Sequence, residues 1–283
     1  MKAADKRWIA ENAISTKVFS LNKDTTEKSR FWSVTTDAPM QYVEYTFVDL
    51  MRSNGAQASF LWPVITHSLF LALAIPKFSP SNKQHSKLFK NFTSRGLFLL
   101  EFANIKRERV NDLMRKMGRP ENEPISNIEV ESCNENEEML RNARECGLEG
   151  ISGNLNITLK AVLKVSRISH NKAFKAKRSQ EEFDDLVFGK DVTANQRLES
   201  CLMLLKVMGQ ATLIDLIYNR DLRRNTETKL NGSPDTLTWT NESYCFYEVK
   251  TPNDSIQASQ KEYFNAVLKP SNANFGIALV EPA

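Results

Sequence analysis

Cysteine and histidine are scarce in this 283-residue chain, with four Cys and three His, and none of them are grouped. Cys133, Cys146, Cys201 and Cys245 form no C-x-x-C pair and the histidines stand far apart, which excludes the ligand spacings of a structural zinc site and the density of a disulfide scaffold. Ten Gly and ten Pro are too few for a collagen-like or linker-like chain. Long apolar runs are also missing. The longest, Phe60 to Ile75 (FLWPVITHSLFLALAI), is interrupted by Pro63 and His67 and falls short of the roughly 18 to 20 apolar residues of a spanning helix. It predicts a buried helix starting near Pro63, a residue tolerated in a first helical turn, with His67 satisfied in or beside the core instead of ligating a metal. The N-terminal MKAADKRWIAENAIS has no apolar core of signal-peptide length. The expectation is therefore a chain that is not exported by the general secretory route, works in a cytoplasm and has no membrane partner.

An excess of charge of one sign is nearly absent as well. With 38 Lys+Arg against 34 Asp+Glu the net charge is +4, which excludes a histone-like polycation and confines any nucleic-acid affinity to local patches. What the chain does have is 41% hydrophobic residues over a length that can bury a real core.

Residues 1–38 are polar and read as an irregular segment ending in TTDAP, where Asp37 is placed to cap a helix that begins after Pro39. Residues 40–53 carry Val43, Phe47, Leu50 and Met51 at helical spacing, with Gly55 at the stop. A long helix over 94–117 would expose Lys106, Arg107, Arg109, Arg115 and Lys116, and the acidic stretch 118–138, rich in Asn and Pro, reads as a surface excursion. Residues 154–178 cluster Lys160, Lys164, Arg167, Lys172, Lys175, Lys177 and Arg178 around apolar positions. A solvated helix face is the ordinary reading of such a run, and contact with a phosphate backbone is the alternative. Strong helical periodicity over 195–218 predicts two helices hinged near Gly209.

Chemistry is concentrated in the last quarter. Asn231 to Pro234 predict a turn, Asp235 opens a strand running through Trp239, Asn241 to Ser243 connect, and Tyr244 to Lys250 complete a hairpin. Because strand side chains alternate, Glu248 and Lys250 share a face, Val249 takes the other, and Asp235 reaches the Glu248 face from the paired strand. Two carboxylates and a lysine then converge at a sheet edge. Phosphodiester hydrolysis uses such a set, because a hard cation such as Mg2+ takes carboxylate and carbonyl oxygens, polarises the phosphoryl oxygen and acidifies a water. Asp235 and Glu248 would hold the metal, with the Val249 carbonyl as a further ligand. Lys250 could hold or help deprotonate the water, or stabilise charge at phosphorus. Gln260, on a helix opening near Ser255, could orient Lys250 or contact substrate. A surface hairpin whose charges merely pair is the competing reading of an isolated P-D…E-x-K.

Gly232, Pro234, Asp235, Glu248, Val249, Lys250, Pro252, Asn253, Asp254 and Gln260 stand in the order found in the VRR-NUC branch of the PD-(D/E)xK nucleases, which this segment resembles. Thr251 and Ser255 depart from the family's usual Gly and Arg, and neither change removes a metal ligand. More loosely, YVEYTFVDLMRSNGA followed by the apolar block is similar to the nuclease module of the Fanconi-associated nuclease. That likeness implies Glu44 as the helix carboxylate of the site and a further metal ligand, with Asp49, Glu101 and Glu199 as weaker candidates. The resemblance implies an α/β (α+β) fold with a PD-(D/E)xK restriction-endonuclease-like core, a small mixed sheet, flanking helices and a helical insertion. Residues 39–283 would form one nuclease domain, elaborated over about 60–210, with its motif core at 228–283.

The same resemblance implies a Mg2+- or Mn2+-dependent DNA endonuclease that favours branched or splayed DNA. Arg220, Arg223, Arg224, Lys172, Lys175, Lys177 and Arg178 would hold the phosphate backbone. Its setting would be repair or phage DNA processing, or antibacterial attack as an effector toxin with a cognate immunity protein. The alternative is a nuclease-like fold that binds nucleic acid without turnover. The intact Asp235, Glu248 and Lys250 weigh against it, because a cluster of like charges is costly to keep.

Overall fold

The computed structural model describes residues 1–24, 31–75, 77–89, 137–222 and 232–283. Its helices are α1 (Ala3–Glu11), α2 (Val43–Ser53), α3 (Trp62–Ala74), α4 (Ile151–Ala173), α5 (Gln180–Phe188), α6 (Ala194–Met208), α7 (Gln210–Ile217) and α8 (Ala258–Tyr263), with shorter helical stretches at 83–89 and 137–145. The chain divides into two compact units, one comprising Met1–Trp62, Asp185–Thr212 and Gly232–Ala283, the other Pro63–Asp184 and Leu213–Asn231. The helix expected over 94–117 and the excursion at 118–138 lie outside the described residues.

The first unit is built on a mixed sheet. Its strands are β1 (Ser15–Lys23), β2 (Phe31–Ser33), β3 (Gln41–Tyr42), β4 (Gln57–Ser59), β5 (Thr236–Trp239), β6 (Tyr244–Lys250) and β7 (Phe275–Pro282). Among the described residues they are ordered β3-β2-β1-β7-β6-β5-β4. β1, β7 and β6 run parallel, and the remaining pairs are antiparallel. A parallel neighbour needs a crossover, and α8 lies in the connection from β6 to β7. This mixed α/β architecture bears out the expected fold class.

The hairpin forms in the expected register, with Trp239 opposite Tyr244 and Leu237 opposite Phe246. Its position differs from expectation. β7 flanks β6 and β4 flanks β5, so the motif lies inside the sheet and not at its edge. The three-residue β4 and the parallel pairing with β7 leave no local signal that would have revealed this.

Residues 1–38 are a second correction, because the segment expected to be irregular supplies α1, β1 and β2. β1 pairs with β7 from Ser15 opposite Gly276 to Leu21 opposite Pro282. Only Phe19 and Leu21 mark its inner side, while Val18 is exposed, so its alternation is weak. A third difference concerns α2, which starts at Val43 with Tyr42 in the cap position and no side-chain cap bond. Gln41 and Tyr42 are drawn into β3, and Asp37 caps nothing there. The helix does stop at Gly55 (φ +82°), where the Gly55 N–H reaches Arg52 O at 3.0 Å and the Ala56 N–H reaches Met51 O at 3.0 Å.

α2 covers one side of the sheet. Its Phe47 joins Leu21, Trp32, Tyr247, Val249, Ala278 and Val280 in a buried cluster. Phe47 meets Phe19 and Tyr247 edge-on at 5.0 and 5.6 Å, an arrangement that adds to simple area burial. Because Val249 is committed to this core, alternation turns Glu248 and Lys250 to the opposite side.

The second unit is helical in its described part. α3 is buried as expected, and no single helix among the described residues is long and apolar enough to cross a membrane. Asn154 of α4 donates to Ala72 O and Ile75 O at 2.6 and 3.0 Å, and the Thr158 hydroxyl donates to Ser68 O at 3.2 Å. These bonds strap α4 to α3 and its C-terminal end. His67 is buried against Asp221 at 3.0 Å, and Asp221 also pairs with Arg220 at 2.7 Å. His67 is thus the satisfied core histidine expected. Arg220, expected to contact phosphate, is buried in this cluster instead. α6 and α7 separate at Gly209, whose φ of +81° suits glycine, as the hinge reading anticipated.

Candidate active site

β5 and β6 bring Asp235, Glu248 and Lys250 together, as alternation predicts. Asp235 Oδ2 accepts the Val249 N–H at 2.8 Å, a bond that ties the turn before β5 to the strand beside it. The Asp235 and Glu248 carboxyls share a hydrogen bond, and Lys250 Nζ lies 2.9 Å from Glu248 Oε1. Glu248 and Lys250 are both buried, while Asp235 keeps some contact with water.

Three acidic groups near one cation set the electrostatics. Burial pushes the Asp235 carboxyl up to about 6, and Glu44 adds to the rise against the opposing Val249 N–H, Glu248 hydrogen bond and Lys250. Burial, followed by Asp235, holds Glu248 well above the ordinary carboxylate range. For Lys250 burial works against the charge, but Glu248 and Asp235 outweigh it, so its pKa stands above the usual lysine value. Two carboxyls in contact therefore resist being charged together.

Gln260 orients Glu248. The Gln260 side-chain oxygen accepts the Gln257 N–H at 2.8 Å as part of a capping box at the start of α8. With the oxygen committed, the amide nitrogen must point the other way, and it donates to Glu248 Oε1. The expectation that Gln260 orients Lys250 is corrected in this respect. Gly232 explains how the G-x-P-D turn reaches α8. At φ +99°, a Cβ there would sit 2.5 Å from the Ser259 carbonyl carbon and 2.6 Å from the Gln260 nitrogen. The glycine lets two backbones touch at the base of the site. In the next turn Asp254 Oδ2 accepts both the Thr251 N–H and the Thr251 hydroxyl at 2.7 and 2.8 Å. Thr251, where the family usually has Gly, is therefore accommodated with a bond of its own.

Two supporting residues escaped the sequence reading. Trp62 is fully buried and its indole N–H donates to Pro234 O at 3.0 Å, fixing the carbonyl just before Asp235. Asp5 of α1 accepts Lys261 Nζ at 2.8 Å and the Ile256 N–H at 3.3 Å, which anchors both α8 and the turn before it. Burial raises the Asp5 pKa, but Lys261 and the Ile256 N–H outweigh this and hold it below the ordinary carboxylate range. Nothing local singles Asp5 out, since the same helix also carries Glu11.

Glu44 stands in the first turn of α2 and acts electrostatically on Asp235, so the structure brings it to the cluster. Asp49 is spent on Gln41 Nε2 at 2.7 Å. Glu199 lines a separate surface hollow with Leu202, Met203, Lys206 and Asn241. Glu101, Arg223 and Arg224 lie outside the described residues. Lys172, Lys175, Lys177 and Arg178 are exposed in the second unit. There Asn171 braces the Arg178 backbone from both sides, donating to its carbonyl at 2.8 Å and accepting its N–H at 3.2 Å.

Among the described residues no group of three or more His, Cys, Asp or Glu side chains converges tightly enough to cage an ion. The donors at hand still suit a hard cation of the Mg2+ type, which is held by one or two carboxylates and takes its other ligands from water and substrate. Asp235 and Glu248 are in contact, Glu44 acts on Asp235, and the Val249 carbonyl follows Glu248 directly in sequence. The mutual repulsion of the two carboxyls favours positive charge at this position.

No curated protein matches the chain. Two crystal structures of paFAN1, bound to 5′-flap DNA with a gap, align over 98% of this chain and 41% of theirs. For the 2-nucleotide flap the identity is 13% and the TM-score 0.44, and for the 1-nucleotide flap 14% and 0.42. The chain thus spans about two-fifths of the length of those proteins. Residues 193–282, which hold α6 to β7 and with them Asp235, Glu248, Lys250 and Gln260, match the VRR-NUC domain, and the resemblance read from the motif is borne out.

Proposed function

We propose that this chain is a DNA endonuclease that hydrolyses phosphodiester bonds with the help of Mg2+ or Mn2+. The observation that carries the proposal is the contact of two carboxyls, Asp235 and Glu248, at one largely buried point beside Lys250. When bound, the cation supplies positive charge at the scissile phosphate and makes a nearby water more acidic. Asp235 and Glu248 would hold it, with Glu44 and the Val249 carbonyl as further oxygen donors. Lys250 stands as a cation 2.9 Å from Glu248, beside the cluster. It therefore serves as a fixed cation that stabilises charge growing on the phosphoryl oxygens, in preference to acting as the base. Gln260 positions Glu248 through its committed amide. Lys172, Lys175, Lys177 and Arg178 would contact the phosphate backbone, which positions DNA without reading its sequence. The VRR-NUC resemblance adds a preference for branched or splayed DNA.

The purified chain should cut splayed oligonucleotides in Mg2+ or Mn2+ and stop in EDTA, while Asp235→Ala protein should bind the same DNA and leave it intact. Cleavage at the wild-type rate by Asp235→Ala or Lys250→Ala protein would overturn the site. Tight binding by the wild type without cleavage in either metal would favour the alternative of a binding module.

A further inference from the structure

The turn joining α4 to α5 closes the longer helix on a lysine. The Ala176 N–H reaches Asn171 O at 2.9 Å and the Lys175 N–H reaches Lys172 O at 3.5 Å. This pair of bonds is the Schellman motif, which sets one residue just past the helix in the left-handed region. Glycine is favoured there, yet the residue is Lys175, at φ +50°. Phe174, immediately before it, is 52% exposed. Its ring lies against His170, one turn back on α4, with centroids 4.6 Å apart and the planes tilted by 34°. His170 meets Phe183 of α5 edge-on at 5.5 Å. Burial first, then Arg178, lowers the His170 pKa, so near neutral pH it packs as an uncharged ring. Phe174 has no other ring contact among the described residues. One of its faces therefore rests on His170 and the other is open to solvent. Lys172, Lys175, Lys177 and Arg178 are exposed around it in the chain, and residues 151–180 contain no Asp or Glu. None of the three lysines is in an ion pair among the described residues. Arg178 is held at its backbone by Asn171, and its charge reaches His170, so it stands beside the stacked rings.

We propose that the α4–α5 turn is a holding site for single-stranded DNA, in which an unpaired base stacks on the open face of Phe174 while Lys175 and Arg178 hold the flanking phosphates. This rests on DNA being the substrate, as proposed above, and names the part of the substrate that the second unit takes. Every base has a flat face to lay on a flat ring, and none needs a matching hydrogen bond. A base inside a duplex has no free face, so the turn selects unpaired strand. A ring already backed by another ring offers this surface in place, which lowers the ordering cost of binding. A membrane surface would call for several apolar side chains, whereas Phe174 is the sole large apolar residue of 172–179. At the left-handed position, a glycine would satisfy the backbone and bring no charge. Lys175 brings a cation to the residue next to the stacked ring.

The test uses the full chain in EDTA, so that binding is read without cleavage, and two DNAs that differ only in a short single-stranded tail carrying 2-aminopurine. Wild-type protein should quench the 2-aminopurine and bind the tailed DNA more tightly than the blunt duplex. Phe174→Ala should abolish the quench and weaken tailed-DNA binding by about tenfold or more, with less than about a twofold change on blunt duplex. Phe174→Leu, which still covers His170 and should melt like the wild type, should lose the quench as well, whereas Phe174→Trp should keep it. Lys175→Gly relieves the left-handed lysine, so its melting temperature should hold or rise, while affinity for the tailed DNA falls and its salt dependence becomes shallower by about one phosphate contact. Equal losses on the two DNAs, or a quench unchanged in Phe174→Leu, would overturn the proposal. So would binding to vesicles of anionic lipid that Phe174→Ala abolishes with no loss on tailed DNA, because the turn would then serve a membrane. Asp235→Ala protein should quench like the wild type. If no DNA is cut in any metal but the Phe174-dependent quench persists, the nuclease function fails and the holding site stands.

Discussion

Two buried clusters of ionisable side chains make opposite use of charge. In the second unit, Asp221 meets Arg220 and His67. Burial alone would raise its pKa, but the guanidinium and the imidazole outweigh this and hold the carboxyl far below its usual range. His67 is in turn lowered, first by burial and then by Arg220. In the first unit Asp235 and Glu248 share one lysine, Glu44 acts on Asp235, and the Asp235 and Glu248 carboxyls are both raised. The first arrangement is saturated with positive charge and needs nothing further. The second is short of positive charge, a deficit that the proposed cation would fill.

The largest effect that would separate the clusters is on catalysis. Asp235→Asn should lower the cleavage rate by about 10²- to 10³-fold or more while the melting temperature of the metal-free protein holds or rises. Equal loss of activity and stability would make Asp235 a structural acid like Asp221. Next is the converse substitution. Asp221→Ala leaves Arg220 buried without its main counter-charge and should cost about 3–5 kcal/mol, seen in urea or thermal unfolding. If unfolding is unchanged, the comparison collapses.

The pH dependence should have opposite signs. Asp235 is raised from 3.8 to about 6, so the metal-free native state binds more protons than the unfolded chain between these values. It should lose stability as pH rises through them, with a ceiling of about 3 kcal/mol that water contact at Asp235 reduces. Asp221 is depressed, so its contribution is present above the usual carboxylate pKa and is lost as pH falls below it. Melting curves from pH 3 to 8 in EDTA should show both limbs, with Asp235→Asn flattening the upper one. The smallest effect is expected at the periphery. Asp5→Asn weakens the anchor of α8, costs about 1 kcal/mol and should lower kcat severalfold at constant KM.

The hairpin was legible because it is local. Its turn, its two strands and the alternation that joins Glu248 to Lys250 all lie within residues 231–250, and the periodicity has no other solution. Glu44 came within reach only through family likeness, since nothing in VEYTFVDL distinguishes it from any glutamate on a half-buried helix. Trp62 and Asp5 were not legible. Each acts through one bond to a backbone or side chain distant in sequence, Trp62 to Pro234 and Asp5 to Ile256 and Lys261. The capping box at Gln257 decided which partner Gln260 would take, and it depends on where α8 begins. Residues 15–23 carry little strand signal because their partner, β7, lies far away in sequence and only Phe19 and Leu21 face the core.

The parallel pairing of β1 with β7 also governs the order of events in folding. Contacts between residues this far apart in sequence give a high contact order, and loop closure must precede any reward from them. A fragment confined to residues 193–282 would contain Asp235, Glu248, Lys250 and Gln260 and yet lack β1, α2, Trp62 and Asp5. A growing chain on the ribosome would be in the reverse position until β7 emerged. A chain without β7 lacks the strand that pairs with both β1 and β6, so the site is assembled only once residues 275–282 are in place.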